Sequence, residues 1–234
     1  MTDTLFPAPD WPRIAVQDAQ GSFPVRRVFC VGRNYAAHAA EMGNEVDRAA
    51  PFYFTKSALA VLPSGRSVPY PPGTSDYHHE MEFVVALGGA AFRVTPDRAM
   101  DAVLGYACGL DMTRRDLQAR AKDKRHPWDL AKDAENSAVI GPITRKDRFG
   151  AIADQSIRLT VDGELRQQGK LSDMVWSVPD LIADLSRYYH LQPGDLIFTG
   201  TPSGVGAVDP GAVLRGEIDG LAPVELTLGP PEAS

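Results

Sequence analysis

Short apolar runs, bounded by glycine, proline, aspartate or asparagine, recur along the chain and predict a protein built mainly of β-strands. The clearest run is HEMEFVVALGG, in which polar residues come first and a wholly apolar stretch follows. Asp162-Gly163 lies between two of the runs and is typical of a hairpin turn. We expect strands at residues 26–32, 51–56, 79–89, 103–111, 157–161, 164–168, 195–199, 214–218 and 224–228.

Helices are predicted at fewer places, each marked by a capping residue or by an early proline. We expect them at residues 34–42, from Thr95-Pro96 onward, from Thr113 to about residue 122, and at residues 177–188. Asn34 and Thr113 are the expected caps of two of these helices. The segment 62–74 is rich in proline and glycine and is expected to be a loop.

The pattern divides the chain into an N-terminal arm, residues 1–25, and one folded domain, residues 26–234. Prolines in the arm favour an extended chain and disfavour regular strand pairing. With 21 glycines and 19 prolines, the composition suits a turn-rich protein better than a helical bundle. The fold class is therefore expected to be α+β: mixed β-structure with a few peripheral helices.

Composition and charge narrow the range of partners. The formal net charge is -6 and no long basic run is present, which disfavours nucleic acid. No apolar segment approaches the length of a membrane span, and the N-terminus lacks the pattern of a signal peptide, so we expect a cytoplasmic protein that does not contact a membrane. Cys30 and Cys108 lie in apolar runs and are expected to be buried thiols.

Three acids are candidates for a metal site. Glu80 and Glu82 point the same way if they lie on one strand, and two adjacent carboxylates beside an apolar run need a positive partner. Asp111 ends another apolar run and adds a third carboxylate. Oxygen ligands suit a hard cation such as Mg²⁺ or Mn²⁺, with Ca²⁺ as an alternative. On spacing alone, Glu80 and Glu82 could equally lie on a solvated strand face.

His38 and Glu41 are three residues apart on a predicted helix and therefore share a face. A carboxylate beside an imidazole can orient it to take a proton from water, although a surface pair has the same spacing. Lys132 could stabilise negative charge that develops in a site. The loop at residues 199–206, TGTPSGVG, allows close approach of its backbone to a ligand, or is simply a tight turn. It does not have the spacing of a nucleotide-binding loop.

These motifs, taken in order, resemble those of the fumarylacetoacetate hydrolase family. The resemblance rests on VGRNYAAHAAEMG, DYHHEMEFVVALGG, GYACGLDMTRRDLQ, HPWDLAKDAENSAVIGP and LQPGDLIFTGTPSGVG, and covers nearly the whole chain. The short, single-domain members are most similar, and among them the fumarylpyruvate hydrolases. The resemblance implies a mixed β-roll and a homodimer.

The resemblance also implies roles for individual residues. Glu80, Glu82 and Asp111 match metal ligands, and His38 and Glu41 match the pair that activates water. Lys132 matches a lysine beside the metal-bound substrate. Arg115, Gln118 and Thr201 match residues that contact the substrate. The implied reaction is metal-dependent hydrolysis of a carbon–carbon bond in a small keto acid, an acylpyruvate, with residues 41–50 as a lid that carries Glu41.

Three alternatives are open at this stage. The same metal site could decarboxylate oxaloacetate, or isomerise a related ring-cleavage product, because those reactions also pass through an enolate. A catalytically silent binding domain is the second alternative, although such a protein would have no need for the His38/Glu41 pair. A nucleotide-dependent enzyme is the third, and its support is one glycine after a strand, Gly32.

Overall fold

The structure, a computed structural model, describes residues 5–7, 10–41, 43 and 47–232. Its strands, numbered β1 to β18 in chain order, are Arg13–Ala15, Ser22–Pro24, Arg27–Gly32, Phe52–Lys56, Val61–Pro63, Arg66–Pro69, Tyr77–His79, Met81–Leu87, Val103–Asp111, Thr113–Arg114, Ala138–Ile140, Thr144–Arg145, Ser156–Val161, Glu164–Lys170, Asp195–Phe198, Gly206–Ala207, Val213–Ile218 and Val224–Gly229. Its helices, α1 to α6, are Ala36–Glu41, Pro96–Ala99, Arg115–Lys124, Asp129–Lys132, Lys146–Phe149 and Val178–Tyr188. The expected α+β class is confirmed.

Two large mixed sheets form the body of the protein. The larger has the order β4-β3-β15-β8-β9-β11-β5, with β12 paired beside β9. The smaller has the order β14-β13-β17-β18-β6. A third sheet, β10-β7-β16, lies where β7 leads into β8. The chain reverses between β13 and β14 at the predicted Asp162-Gly163 turn, and between β17 and β18 at a loop that contains Asp219-Gly220.

Strand β8 lies near the middle of the large sheet and is buried on both faces. Phe83 and Val85 point into a core shared with the small sheet and α6, whereas Val84 and Ala86 point into a second core. This alternation follows from the two-residue repeat of a strand. It places Glu82 on the same face as Val84.

The N-terminal arm differs from the expectation that its prolines prevent pairing. Residues Arg13–Ala15 pair antiparallel with Ser22–Pro24, and Pro24 lies at the end of the ladder. Ile14 and Phe23 are buried in the second core, against the large sheet. A proline is tolerated at such an edge because its missing N–H is not needed for pairing there. Residues 1–4 and 8–9 lie outside the described part of the chain.

The expected loop at residues 62–74 was also wrong in part. Val61–Pro63 pairs with β11, and Arg66–Pro69 pairs with β18, both in parallel. A parallel edge strand pairs with a segment that is distant in the sequence, so the local composition does not reveal the strand. Ser64, Gly65 and the part that follows Pro69 are irregular.

Two predicted helix caps were wrong as well. Thr113 belongs to β10, and α3 begins two residues later, with Arg114 before it. Asn34 lies two residues before α1 and uses its side chain elsewhere: it donates to the carbonyls of Trp176 and Thr199 and accepts from the Trp176 N–H. By contrast, Ser177 caps α6, where the sequence indicated only an early proline: its hydroxyl accepts from the Asp180 N–H.

The two cysteines are buried free thiols, as predicted. Within the described ranges, no helix has the length and apolar character needed to cross a membrane.

Candidate active site

The three candidate acids come together because β8 and β9 are adjacent antiparallel strands. The expected strand at residues 79–89 is divided at Glu80, which lies between β7 and β8. Glu82 pairs with Gly109 in the β8–β9 register, and the Asp111 N–H donates to the Glu80 carbonyl at 2.9 Å. One carboxylate oxygen from each of Glu80, Glu82 and Asp111 lies within 4.8 Å of the others, and all three residues are buried. A solvated strand face is therefore wrong for Glu80 and Glu82.

Two lysines neutralise part of this acidic cluster. The Lys132 ammonium donates to Glu80 Oε2 at 2.8 Å, to Asp111 Oδ2 at 2.7 Å and to Thr113 Oγ1 at 2.7 Å. The Lys56 ammonium lies 2.8 Å from Asp111 Oδ1 and donates to the Met112 carbonyl and to Ser137 Oγ. Both lysines are almost completely buried. The sequence indicated Lys132 as a candidate but not Lys56. Lys56 is the last residue of β4, which lies at the edge of the large sheet, and its neighbours in the sequence do not indicate its partners.

The charges in the cluster are unequally compensated. Burial opposes ionisation of Glu80, but Lys132 and Arg115 outweigh burial and hold its pKa well below the usual value. For Glu82, burial and then the charges of Asp111 and Glu80 raise the pKa well above the usual value. Burial lowers the pKa of Lys132, but Asp111 and Glu80 more than offset this and raise it. Glu82 is thus the acid whose negative charge lacks a matched cation.

This arrangement fits a divalent cation. Among the described residues Glu82 makes no salt bridge, and its Oε2 accepts one hydrogen bond, from the Gly200 N–H at 2.7 Å. Asp111 Oδ1 is buried, and although Lys56 lies close, no donor is aligned with it. Three buried carboxylates without a sulfur or imidazole ligand suit Mg²⁺, Mn²⁺ or Ca²⁺ better than Zn²⁺.

His38 and Glu41 lie on α1, and the structure brings them together as expected. His38 Nδ1 lies 3.3 Å from Glu41 Oε2. The Glu41 carboxylate also accepts from the Gly204 N–H, at 3.2 and 3.1 Å, which connects α1 to the glycine-rich loop. Gly204 has a φ of 93°, a conformation that favours glycine. His38 is 9% exposed whereas the Glu41 side chain is 39% exposed, so the pair joins a buried imidazole to a carboxylate at the protein surface.

The expected lid, residues 41–50, is only partly visible. Met42 and residues 44–46 lie outside the described residues. Within the remainder, the Trp176 indole N–H donates to the Asp47 carbonyl at 3.1 Å.

Helix α3 directs Arg115 and Gln118 toward the cluster. Arg115 donates to Glu80 Oε1 through one nitrogen and to Gln118 Oε1, at 2.6 Å, through another. His78 lies between Asp76 Oδ1, at 2.8 Å, and the Arg115 Nε, at 3.4 Å. Burial, followed by the Arg115 charge, lowers the pKa of His78. His78 therefore supports Arg115, as a neutral imidazole that can accept from it.

Thr201 is positioned by Gln167, a residue that sequence reasoning missed. The Met81 N–H donates to Gln167 Oε1 at 2.9 Å, and Gln167 Nε2 donates to the Pro202 carbonyl at 2.8 Å, which together fix the orientation of the amide. The second amide hydrogen then donates to Thr201 Oγ1, also at 2.8 Å. Because Thr201 accepts this bond, its own hydroxyl hydrogen is free to donate to a ligand.

One pocket contains these groups. Its lining includes His38, Glu80, Glu82, Arg115, Gln118, Lys132 and Thr201, and its outer part is formed by Arg33, Phe52, Lys122 and Trp128. Every candidate site residue except Glu41 and Asp111 lines it directly, and those two contact residues that do. Acids, cations, an imidazole and a hydroxyl thus face one small space, as an active site for an anionic oxygen-rich substrate requires.

Comparisons with known proteins agree with this geometry. Residues 27–228 match the family described as fumarylacetoacetate hydrolase C-terminal. The chain is 50% identical over 194 residues to a fumarylpyruvate hydrolase of a Ralstonia species, which covers 82% of this chain and all of the relative. It is 41% identical over 197 residues to a mitochondrial oxaloacetate decarboxylase of Dictyostelium discoideum, covering 84% of this chain and 90% of the relative.

A solved structure is similarly close. The crystal structure of fumarylpyruvate hydrolase from Pseudomonas aeruginosa, in complex with Mn²⁺ and pyruvate, matches with a TM-score of 0.93 and 44% sequence identity. The match covers 97% of this chain and 100% of that one.

Proposed function

The chain belongs to the fumarylacetoacetate hydrolase family, and we propose that it hydrolyses a carbon–carbon bond in an acylpyruvate, with fumarylpyruvate as substrate and a divalent cation as cofactor. The observation that carries the proposal is the shared pocket: a buried three-acid cluster opens beside the His38/Glu41 pair. A cation site alone would support several reactions, but a buried, carboxylate-oriented imidazole supports one that consumes water.

Glu80, Glu82 and Asp111 would hold the cation, which when bound supplies Lewis-acid polarisation of the substrate's keto oxygens. With the cation present, the pocket carries a net positive charge: Lys56, Lys132 and Arg115 equal the three acids in number, although none of them pairs with Glu82, and a divalent ion adds two positive charges. A keto acid that binds as an anion would be attracted to that charge. We propose Mg²⁺ or Mn²⁺ as the native ion, and the Mn²⁺ in the Pseudomonas aeruginosa structure supports this choice.

His38 takes a proton from water, and the hydroxyl group adds to the acyl carbonyl carbon. The bond between that carbon and the methylene of pyruvate then breaks, and its electron pair remains on the pyruvate fragment as an enolate. The methylene carbon takes up the proton that His38 removed from water, the new carboxyl group releases its proton to solvent, and the products are fumarate and pyruvate. Glu41 orients the imidazole and stabilises its protonated form.

Lys132 provides a buried positive charge beside the forming enolate, held there by its hydrogen bonds to Glu80, Asp111 and Thr113. Arg115, Gln118 and Thr201 provide donors for the keto-acid end of the substrate. The free hydroxyl hydrogen of Thr201 suits a carboxylate oxygen, and Gln167 maintains it in that orientation. Residues 41–50, as a lid that carries Glu41, would exclude bulk water from the pocket.

Oxaloacetate decarboxylation is the second candidate, supported by the 41% identity to the Dictyostelium discoideum decarboxylase. The cation site and the keto-acid contacts would serve both reactions. The His38/Glu41 pair favours hydrolysis, because decarboxylation needs no activated water.

An assay with both substrates separates these candidates. Metal-loaded protein is mixed with fumarylpyruvate or with oxaloacetate, and fumarate, pyruvate and carbon dioxide are measured. We expect fumarate and pyruvate in equal amounts from fumarylpyruvate, loss of turnover with a chelator, and recovery with Mn²⁺ or Mg²⁺. If only oxaloacetate is turned over, and His38→Gln turns it over at the wild-type rate, the protein is a decarboxylase and not a hydrolase.

Three further properties are proposed with the function: a catalytic domain that spans residues 26–234 behind an arm at residues 1–25, a homodimer, and a cytoplasmic location. The family resemblance supports the homodimer. Sedimentation velocity on the full chain tests it, with a single species at twice the chain mass of 25.3 kDa as the expected result.

A further inference from the structure

Two aromatic side chains form one wall of the outer pocket. Phe52 begins β4, and Trp128 immediately precedes α4. Their rings meet edge to face, with centroids 5.1 Å apart. Both side chains line the pocket that contains the acid cluster. The wall therefore offers an apolar surface beside a site whose other groups are strongly polar.

Each aromatic ring carries a cationic side chain. The Arg33 guanidinium lies over Phe52, 5.9 Å from the ring centroid, and the Lys122 ammonium lies over Trp128, 5.1 Å from its centroid. Such cation–π contacts hold a long, flexible side chain in place without neutralising its charge. Arg33 and Lys122 thus keep their positive charges at the pocket mouth, where both side chains are exposed.

Within the described ranges neither cation forms a salt bridge or a side-chain hydrogen bond, although the Glu80 charge acts on Lys122 from a distance. Lys122 lies on the face of α3 that also carries Arg115 and Gln118, because residues three, four and seven apart share a helix face. Partial burial, then the positive charges of Arg115 and Arg33, lower the pKa of Lys122. The cations are close enough to repel one another, and a bound anion would relieve that repulsion.

We propose that Arg33 and Lys122 bind a second carboxylate, at the far end of the substrate's acyl group, while Phe52 and Trp128 pack against the planar carbons that precede it. The inference rests on the proposed function and deepens it: the pocket selects acylpyruvates with an unsaturated dicarboxylic acyl group over those with a neutral acyl group. The deep groups hold the keto-acid end, so a second anionic site at the mouth matches a substrate charged at both ends.

Arg33→Met and Lys122→Met test the proposal, because methionine retains most of the side-chain length without the charge. Lys124→Met is the matched control: Lys124 lies on the same helix but does not line the pocket. Rates are measured with fumarylpyruvate and with acetylpyruvate. For fumarylpyruvate we expect kcat/KM to fall about tenfold in each variant, mainly through KM, since a hydrogen bond to a charged group is lost. Acetylpyruvate rates should stay within about twofold, and the control should match the wild type.

Calorimetric titration of the metal-loaded protein with fumarate, and separately with pyruvate, provides a measurement that does not need turnover. Weaker fumarate binding in Arg33→Met and Lys122→Met, with pyruvate binding retained, supports the second carboxylate site. This holds even if the wild type cleaves neither acylpyruvate, because that failure would overturn only the proposed function. Equal losses for both acylpyruvates, or fumarate binding and rates equal to those of the wild type, would overturn the inference and leave the hydrolase intact.

Discussion

Asp111 and Asp195 are both completely buried, and each lies within 3.2 Å of two cationic side chains. Asp195, at the start of β15, is paired with Arg26 and Arg27 and also accepts from the Gln192 N–H. Its one negative charge is surrounded by donors, and among the described residues neither arginine is shared with another acid. Asp195 therefore has the arrangement of a structural ion pair.

Asp111 has similar partners, but it shares them with two other acids. Lys132 serves both Asp111 and Glu80, and Glu82 is left with a single backbone donor. The difference between the two buried aspartates is thus the excess of like charge around one of them. Charge that a fold buries without matching it indicates a site for a ligand, because burial of an unmatched carboxylate is costly for stability alone.

The sharpest way to test the comparison is to remove one carboxylate charge at each place. Glu82→Gln should reduce fumarylpyruvate turnover by at least about 10³-fold, because Lewis-acid stabilisation contributes several kcal/mol and each 1.4 kcal/mol is a factor of ten. Asp195→Asn should keep kcat near the wild-type value at 25 °C. Initial rates at saturating metal measure both variants. Similar losses in the two variants would contradict the separation into site and structural pair.

Asp195→Asn should instead lower the free energy of unfolding by about 2 kcal/mol. Breaking a fully buried ion pair costs about 3–5 kcal/mol, but the side chains of Arg26 and Arg27 are 47% and 30% exposed and can regain water. Urea denaturation measures the change. Asp101→Asn, in the exposed Arg98–Asp101 pair, is the control and should cost less than about 0.5 kcal/mol.

The metal-free protein should become more stable when Glu82 loses its charge. The raised pKa of Glu82 means that the folded state binds a proton more tightly than the unfolded state. Stability from this group is therefore complete below the unfolded pKa of 4.5 and is lost as the pH rises toward the folded pKa. Each unit of pKa difference corresponds to about 1.4 kcal/mol.

Comparing the metal-free wild type with metal-free Glu82→Gln isolates the contribution of Glu82 to the pH dependence of stability, because both proteins contain the same histidines. The variant should have the higher Tm at pH 8, and the difference should vanish near pH 4.5. Calorimetric scans in the presence of a chelator measure it. A wild type that is the more stable of the two at pH 8 would show that the charge of Glu82 is matched in the folded protein.

The smallest expected effect concerns Gln167. In Gln167→Glu, a carboxylate oxygen would accept the Thr201 hydroxyl hydrogen and withdraw it from the substrate. We expect KM for fumarylpyruvate to rise about tenfold with little change in kcat, as for the loss of one hydrogen bond. Thr201→Val should show the same rise, and the double variant no further rise. If the increases in KM add in the double variant, Gln167 does not act through Thr201.

The acid cluster could be predicted from the sequence because its signals are local. Glu80 and Glu82 stand beside a wholly apolar run, and Asp111 ends another such run, so each carboxylate is conspicuous within its own strand. His38 and Glu41 are one helical turn apart, and their contact follows from helix geometry. The α+β class and most strands follow from similar short-range patterns.

The groups that sequence reasoning missed depend on contacts between distant segments. Lys56 contacts Ser137, which is 81 residues away in the sequence. Gln167 contacts His79 and Met81, which are 88 and 86 residues away. Asn34 contacts Thr199, which is 165 residues away. Nothing near these residues in the chain indicates such partners. The parallel edge strand Arg66–Pro69 was missed for the same reason, since its partner β18 lies near the other end of the chain.

The most direct test of the account is turnover of fumarylpyruvate as Mn²⁺ is added stepwise to metal-free protein. The account predicts no turnover at the start, a rise in proportion to the added ion, saturation at one ion per chain, and equal yields of fumarate and pyruvate. Full turnover without the ion, or release of pyruvate without fumarate, would contradict it.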